Sequence, residues 1–217
     1  MKILALEFSS NRRSAALSNE GCVVEAHTVA GGRATSALAL IRQALAEAQI
    51  RMEDVQWIVV GLGPGSYTGI RAAIATAQGW NLARQTPLLG ISSVHAMAHE
   101  AMTRSLTGPI HPVINAQRGE FHLGHWHITH GRCHEVSPLR IATAEELAAL
   151  RQQNAILVGP DETSPLHQIH PAAKSLAEVA RNRLAESMPA CEPLVPIYLR
   201  ETSFVKAAPA RTPDGKS

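Results

Sequence analysis

The feature that most restricts how this 217-residue chain can fold is an order of elements written twice. Residues 3–8 form an apolar run that reads as a buried strand. Residues 13–17 and 22–29 follow across the turn Asn19-Glu20-Gly21, which makes a three-stranded meander. After Gly31-Gly32 the spacing turns helical over about 36–49, with Leu38, Ile41, Leu45 and Ala48 on one stripe and Ala37, Leu40 and Ala44 on a second. A β-branched strand over 57–62 runs into a glycine-rich loop and then an Ala-rich helix reaching about residue 84. A strand at 88–91 and a helix at 94–103 close the first half. The second half repeats the order: strands over 112–116, 120–128 and 133–136, then a helix opened by the capping box Thr143/Glu146. Ala155-Ile156-Leu157-Val158-Gly159-Pro160 then echoes Ile58-Val59-Val60-Gly61 about 100 residues earlier, before a helix over 173–186. A duplicated unit of strands, helix, strand and helix predicts two α/β lobes: 1–104 with the glycine-rich loop, 105–204 after it, and a Pro-rich, charged, flexible tail over 205–217.

Composition narrows the partners. Aromatic residues are only 4 % of the chain, so the core must come from Ala, Leu, Ile and Val. Lys and Arg are interspersed with acids at a net charge of +2, without the basic stripe of a dedicated RNA binder, so any RNA contact must be shared with a partner and the free chain should hold tRNA poorly. Cys22, Cys133 and Cys191 show no CxxC spacing, which fits a reducing cytoplasm. The first apolar run is short and broken by Glu7, unlike a signal peptide, and no stretch approaches the roughly 20 apolar residues of a membrane span.

The loop Gly61-Leu62-Gly63-Pro64-Gly65-Ser66-Tyr67-Thr68-Gly69 is the most informative segment. Its glycines permit positive φ and close backbone approach, and the following helix start offers unpaired N–H groups for an anion. Gly63, Gly65, Ser66, Thr68 and Glu7 are therefore candidates for anion or loop contacts, against the plainer reading of a tight turn with Ser66 or Thr68 as helix cap. The loop lacks the ending of a Walker motif and the third glycine of a Rossmann fingerprint. His122, His125, His127, His130 and His134 crowd one hairpin, with His125 and His127 on one strand face. No carboxylate or cysteine stands at a fitted spacing, so the expectation is a solvated face with adventitious metal binding at most. No HExxH and no Ser/His/Asp context supports a peptidase.

As a whole string, Gly63-Pro64-Gly65-Ser66-Tyr67-Thr68-Gly69-Ile70-Arg71 resembles the signature of the TsaB family, also called YeaZ. Three further segments match in order: residues 3–10 resemble the family's opening strand and turn, residues 114–121 its mid-chain hairpin, and Pro196-Ile197-Tyr198-Leu199-Arg200 its closing P-x-Y-x-R segment. The resemblance implies an α/β, two-lobed actin-like ATPase (ribonuclease H-like) fold with mixed sheets flanked by helices. It also implies a non-catalytic partner subunit beside a TsaD-like catalytic subunit and a TsaE-like ATPase, which together place a threonylcarbamoyl group on the adenosine 3′ of certain tRNA anticodons. On that reading tRNA is met only through the complex, no cofactor belongs to this chain beyond weak nucleotide contact, and no membrane is involved.

Two departures bear on chemistry. Where the family pattern keeps Asp at the first strand of each lobe, this chain has Glu7 and Asn115, a poor pair for Mg²⁺. Where the family places His-Ser before the first helix, the chain reads Thr35-Ser36. The alternative of a small-molecule kinase or ATPase on the same fold is weakened by the first departure. The pairing surface follows from helix spacing. Ile70, Ala73, Ile74 and Ala77 suit a core, which leaves Ala72, Ala75, Gly79 and Leu82 as a second line of mostly small residues. That line is covered either by the chain's other lobe or by a partner. The resemblance implies the partner, with Leu40 and Ala44 of the preceding helix joining Ala72, Ala75, Gly79 and Leu82, and a homodimer forming in isolation through the same helices.

Overall fold

The computed structural model describes residues 1–27, 36–160, 167–186 and 193–199. Its first sheet holds β1 (Lys2–Glu7), β2 (Ser14–Asn19), β3 (Cys22–His27), β4 (Trp57–Gly61) and β5 (Leu88–Ile91), in the order β3-β2-β1-β4-β5. The second holds β6 (Gly108–Asn115), β7 (Glu120–Thr129), β8 (Arg132–Thr143), β9 (Ile156–Gly159) and β10 (His167–Gln168), in the order β10-β9-β6-β7-β8. Read from the meander inward, the two orders are the same. In each sheet the first three strands are antiparallel and the last two join in parallel. The duplication expected from the element order is therefore present in the topology. β6 begins earlier than its apolar run suggested because Pro109 and Pro112 disguise it as a loop, and the two-residue β10 carried no sequence signal.

Helices α1 (Ala37–Glu47), α2 (Tyr67–Arg84), α3 (Ser93–Thr103), α4 (Ala144–Gln152) and α5 (Ala173–Ala185) complete the layers. Alternation along β1 sends Leu4, Leu6 and Phe8 to one face, where they meet Leu40, Ile41, Ala44 and Leu45 of α1 and Ile70, Ala73, Ile74 and Ala77 of α2. Ile3 and Ala5 face the other way, onto Leu176, Ala177 and Ala180 of α5 and Ala96 of α3. Val94, Met97 and Ala101 of α3 pack against Ile110, Ile114 and Trp126 of the second sheet, whose outer face takes Leu147 of α4. The sequence of layers is thus α1/α2, sheet, α3/α5, sheet, α4. Small Ala side chains let α5 sit close on β1 and β2, which is where the scarcity of aromatic residues is used.

Helix α5 comes from the second half but rests on the first sheet, and its start has no side-chain cap of its own. The Ala173 N–H instead donates to the buried Ser14 Oγ at 2.9 Å, and the Lys174 N–H donates to Glu25 Oε1 at 3.1 Å. The first sheet therefore caps a helix that follows the second sheet in the chain. Ser14→Ala should lower stability by about 1–2 kcal/mol, the usual cost of a lost N-terminal cap with a stranded N–H. In urea unfolding this is a lower midpoint at unchanged slope.

The predicted capping box is present: Thr143 Oγ1 accepts from the Glu146 N–H and Glu146 accepts from the Thr143 N–H. Thr28 to Thr35, the Cys191 region, Arg200 and the 205–217 tail lie outside the described residues. Among the described residues no helix is long and apolar enough to cross a membrane.

Candidate functional site

The two sheets meet at a cleft of about 520 Å³. One wall is the β1–β2 turn (Ser9, Ser10, Asn11) with Gly65, Ser66 and Tyr67; the other is Asn115, Ala116 and Gln117 with His122. The two walls are equivalent parts of the two halves, each the end of a lobe's first strand.

The glycine loop turns its special backbone toward the protein. A methyl at Gly69 would overlap the Phe8 carbonyl oxygen, and one at Gly65, where φ is +146°, would overlap the Ser9 carbonyl oxygen. The Ser66 N–H donates to the Ser9 carbonyl at 2.6 Å, and Ser66 Oγ caps α2 by accepting from the Gly69 N–H at 3.3 Å. The loop seats the helix start against the first strand, and of the two candidate caps Ser66 serves; Thr68 is exposed.

Glu7 is fully buried. Oε1 accepts from the Ser9 N–H at 2.7 Å, and Oε2 accepts from the Ser93 hydroxyl at 2.8 Å. Ser93 Oγ in turn accepts from the Gly63 N–H at 3.1 Å, and the Ser93 N–H donates to the Gly63 carbonyl at 2.9 Å. A side chain at Gly61 would collide with the carboxylate. Burial pushes the Glu7 carboxyl above its ordinary value, opposed by the hydrogen bonds from Ser9 and Ser93. The acid thus ties together strand end, glycine loop and α3, and is not among the residues lining the cleft. On the opposite wall Asn115 Oδ1 accepts from the Gln117 N–H at 2.7 Å, shaping its own hairpin turn. Among the described residues the cleft is lined by hydroxyls, amides, backbone and His122, with no carboxylate. Ser93 was missed in the sequence; the Ser92-Ser93 pair before an apolar helical run was the available signal.

Small residues of α2 face outward. Ala72, Ala75, Gly79 and Leu82 are all exposed, Leu82 at 85 %, and the position of a Cβ on Gly79 is open space. Among the described residues, the chain's second lobe does not cover them. Leu40 and Ala44 require a correction: they are 2 % and 0 % exposed and belong to the first lobe's core. Leu40, Ile41, Ala44 and Leu45 form one wide stripe that α1 needs to bury on the sheet, so the large apolar residue α1 shows outward is Leu38, 54 % exposed. At the start of α2 the Arg71 guanidinium lies 4.0 Å above the Tyr67 ring and donates through Nε to Tyr198 Oη at 3.2 Å.

The histidines occupy the expected hairpin but reach across strands: His125 stacks on His111 of β6 and His127 meets His134 edge-on. His122 instead lines the cleft and His130 sits exposed at the β7–β8 turn. Among the described residues no three potential ligands converge on a metal position.

Residues 29–138 match the family model described as TsaD: tRNA N6-adenosine threonylcarbamoyltransferase. The chain is 27 % identical to the tRNA threonylcarbamoyladenosine biosynthesis protein TsaB of Escherichia coli K12, over 97 % of this chain and 100 % of that protein. With the protein of the same description from Bacillus subtilis it shares 27 % identity over 77 % of this chain and 74 % of that one. YeaZ from Pseudomonas aeruginosa superposes at a TM-score of 0.77 and 26 % identity, covering 91 % of this chain and 99 % of that structure. Duplicated sheets, a cleft between equivalent strand ends and these matches define a two-lobed protein of the actin-like ATPase fold. The chain belongs to the tRNA N6-adenosine threonylcarbamoyltransferase family, in its TsaB or YeaZ branch.

Proposed function

We propose that this chain takes part in forming threonylcarbamoyladenosine in tRNA as the non-catalytic partner of a TsaD-like catalytic subunit. The observation that carries the reading is the cleft. Its two strand ends are where a nucleotide-using member of the superfamily would present acids, yet here one acid is sealed in the interior by Ser9 and Ser93 and the other position is Asn115, engaged with its own turn. A hard divalent cation needs several oxygen ligands, carboxylates among them, and the described lining residues include no carboxylate. What the chain does offer is the exposed line Ala72, Ala75, Gly79 and Leu82 of α2, with Leu38 exposed on α1, a surface on which a second helix pair can pack closely.

On this reading the catalytic paralogue and a second copy of this chain compete for one face, so the homodimer is the form in isolation and the heterodimer the working one. A TsaE-like ATPase and the tRNA join through the assembled complex. The test is reconstitution. The chain alone should transfer no threonylcarbamoyl group to tRNA, a TsaD-like protein alone should transfer little, and the mixture should transfer at least roughly tenfold more. Transfer by this chain alone would overturn the proposal.

A further inference from the structure

A second cavity, about 1060 Å³, opens between α3, α5, the end of β5 and the β7–β8 hairpin. It lies on the face of the first sheet opposite α1 and α2, so partner pairing leaves it accessible. Its lining includes the apolar residues Leu62, Leu89, Met102 and Val179, with Arg132 and Arg183 the two guanidinium groups. That combination of apolar wall and a few cations suits a particular ligand chemistry.

The informative feature is how Arg183 is held. His95 packs against Trp126 with ring centres 4.5 Å apart and planes tilted by 38°, and Arg183 Nη2 lies 3.4 Å from His95 Nδ1. Burial, followed by the Arg183 charge, holds the His95 imidazole down at about 3, so at ordinary pH the ring is neutral and acts as acceptor. A neutral acceptor orients a guanidinium without cancelling its charge, whereas a carboxylate would do both. Glu186, one turn along α5, is the lone carboxylate among the described lining residues, and no ion pair joins it to Arg183. Deeper in the same cavity wall, His99 is 6 % exposed and its Nδ1 has no hydrogen-bond partner among the described residues. Nδ1 is sealed from solvent, so His99 lines the cavity through the rest of its ring.

We infer that this cavity binds a small organic anion with an apolar body, its acid group on Arg183 and its body against Leu89, Met102 and Val179. Arg132, on the hairpin wall, adds attraction without touching the body of the ligand. The inference does not depend on the partner-subunit reading, since the cavity and the pairing face lie on different faces of the first sheet.

The probe is 1-anilinonaphthalene-8-sulfonate, titrated against the full chain by fluorescence and calorimetry. Saturable binding near one per chain is expected. N-phenyl-1-naphthylamine, the same molecule without the sulfonate, should bind at least tenfold more weakly. Arg183→Met should weaken the sulfonate by about tenfold, while Leu82→Ser on the opposite helix face should leave it unchanged. In the unmodified protein, imidazole NMR signals of His95 and His99 should shift with the same midpoint as the fluorescence, which tests the site without relying on a variant folding. Absence of saturable binding, equal affinity for the uncharged probe, or unmoved His95 and His99 signals would each overturn the assignment. So would binding lost in Leu82→Ser and kept in Arg183→Met.

Discussion

On the proposed pairing through α2, Ala75→Arg is expected to leave the chain monomeric with its fold intact. Ala75 stands on the outward line of α2 between Ala72 and Gly79, where side chains are small and exposed. In the free chain an arginine there is solvated, so its effect on unfolding should stay within about ±0.5 kcal/mol, as for other surface changes. In a close helix crossing it must either hold the helices apart or bury an unpaired guanidinium. The latter costs on the order of 3–5 kcal/mol, which is roughly a 150- to 5000-fold loss of affinity. Light scattering would report mass and thermal melting would report fold, for the chain alone and mixed with a TsaD-like protein. Loss of both pairings together would support one shared face. Normal pairing in the variant would place the interface elsewhere, and the adjoining Tyr67–Arg71–Tyr198 group would be the next surface to probe.

Glu7 predicts the largest change in stability. Glu7→Ala leaves the Ser9 N–H without its acceptor, frees the Ser93 hydroxyl and opens a void beside Gly61. Together these should cost about 3 kcal/mol or more. Glu7→Gln keeps an acceptor for Ser9 and an amide that can donate to Ser93 Oγ, so it should cost only about 1 kcal/mol at pH 5. The sign of the pH effect follows from the raised carboxyl. The folded state holds the proton more tightly than the unfolded chain, so the stability it confers is fully present below the unfolded value, about 4.3, and is lost as pH rises through the folded value. The gap between the parent and Glu7→Gln should therefore shrink from pH 5 to pH 8 in urea unfolding. A gap that widens with pH would mean that the carboxylate is stabilised in place as an anion.

Much of this was written in local sequence. The alternation in β1, the helical spacing of α2 and the capping box at Thr143 depend on neighbours within a few residues, and each formed as its pattern dictated. The repeated order of elements carried the duplicated topology, because strand meanders and strand–helix–strand crossovers have few ways to pack. The four core positions of α2 and its exposed small line were legible for the same reason: an 18-residue helix on a sheet can bury only one stripe.

What only the tertiary structure decided involves partners far apart in the chain. Leu40 and Ala44 looked available beside a second stripe, but contact with β1 and α2 drew both stripes of α1 partly into the core. Glu7 could have faced a cleft or the interior, and it was Ser93, 86 residues away, that turned it inward. The strand position alone allows either outcome, since a carboxylate follows whichever donors the fold brings to it. Arg183 and His95 likewise become a unit only because α5 of the second half lies across α3 of the first. Spacing within a helix or strand sets which side chains share a face. Burial and hydrogen bonding between distant elements set what that face meets, and so which residues are left to meet something else.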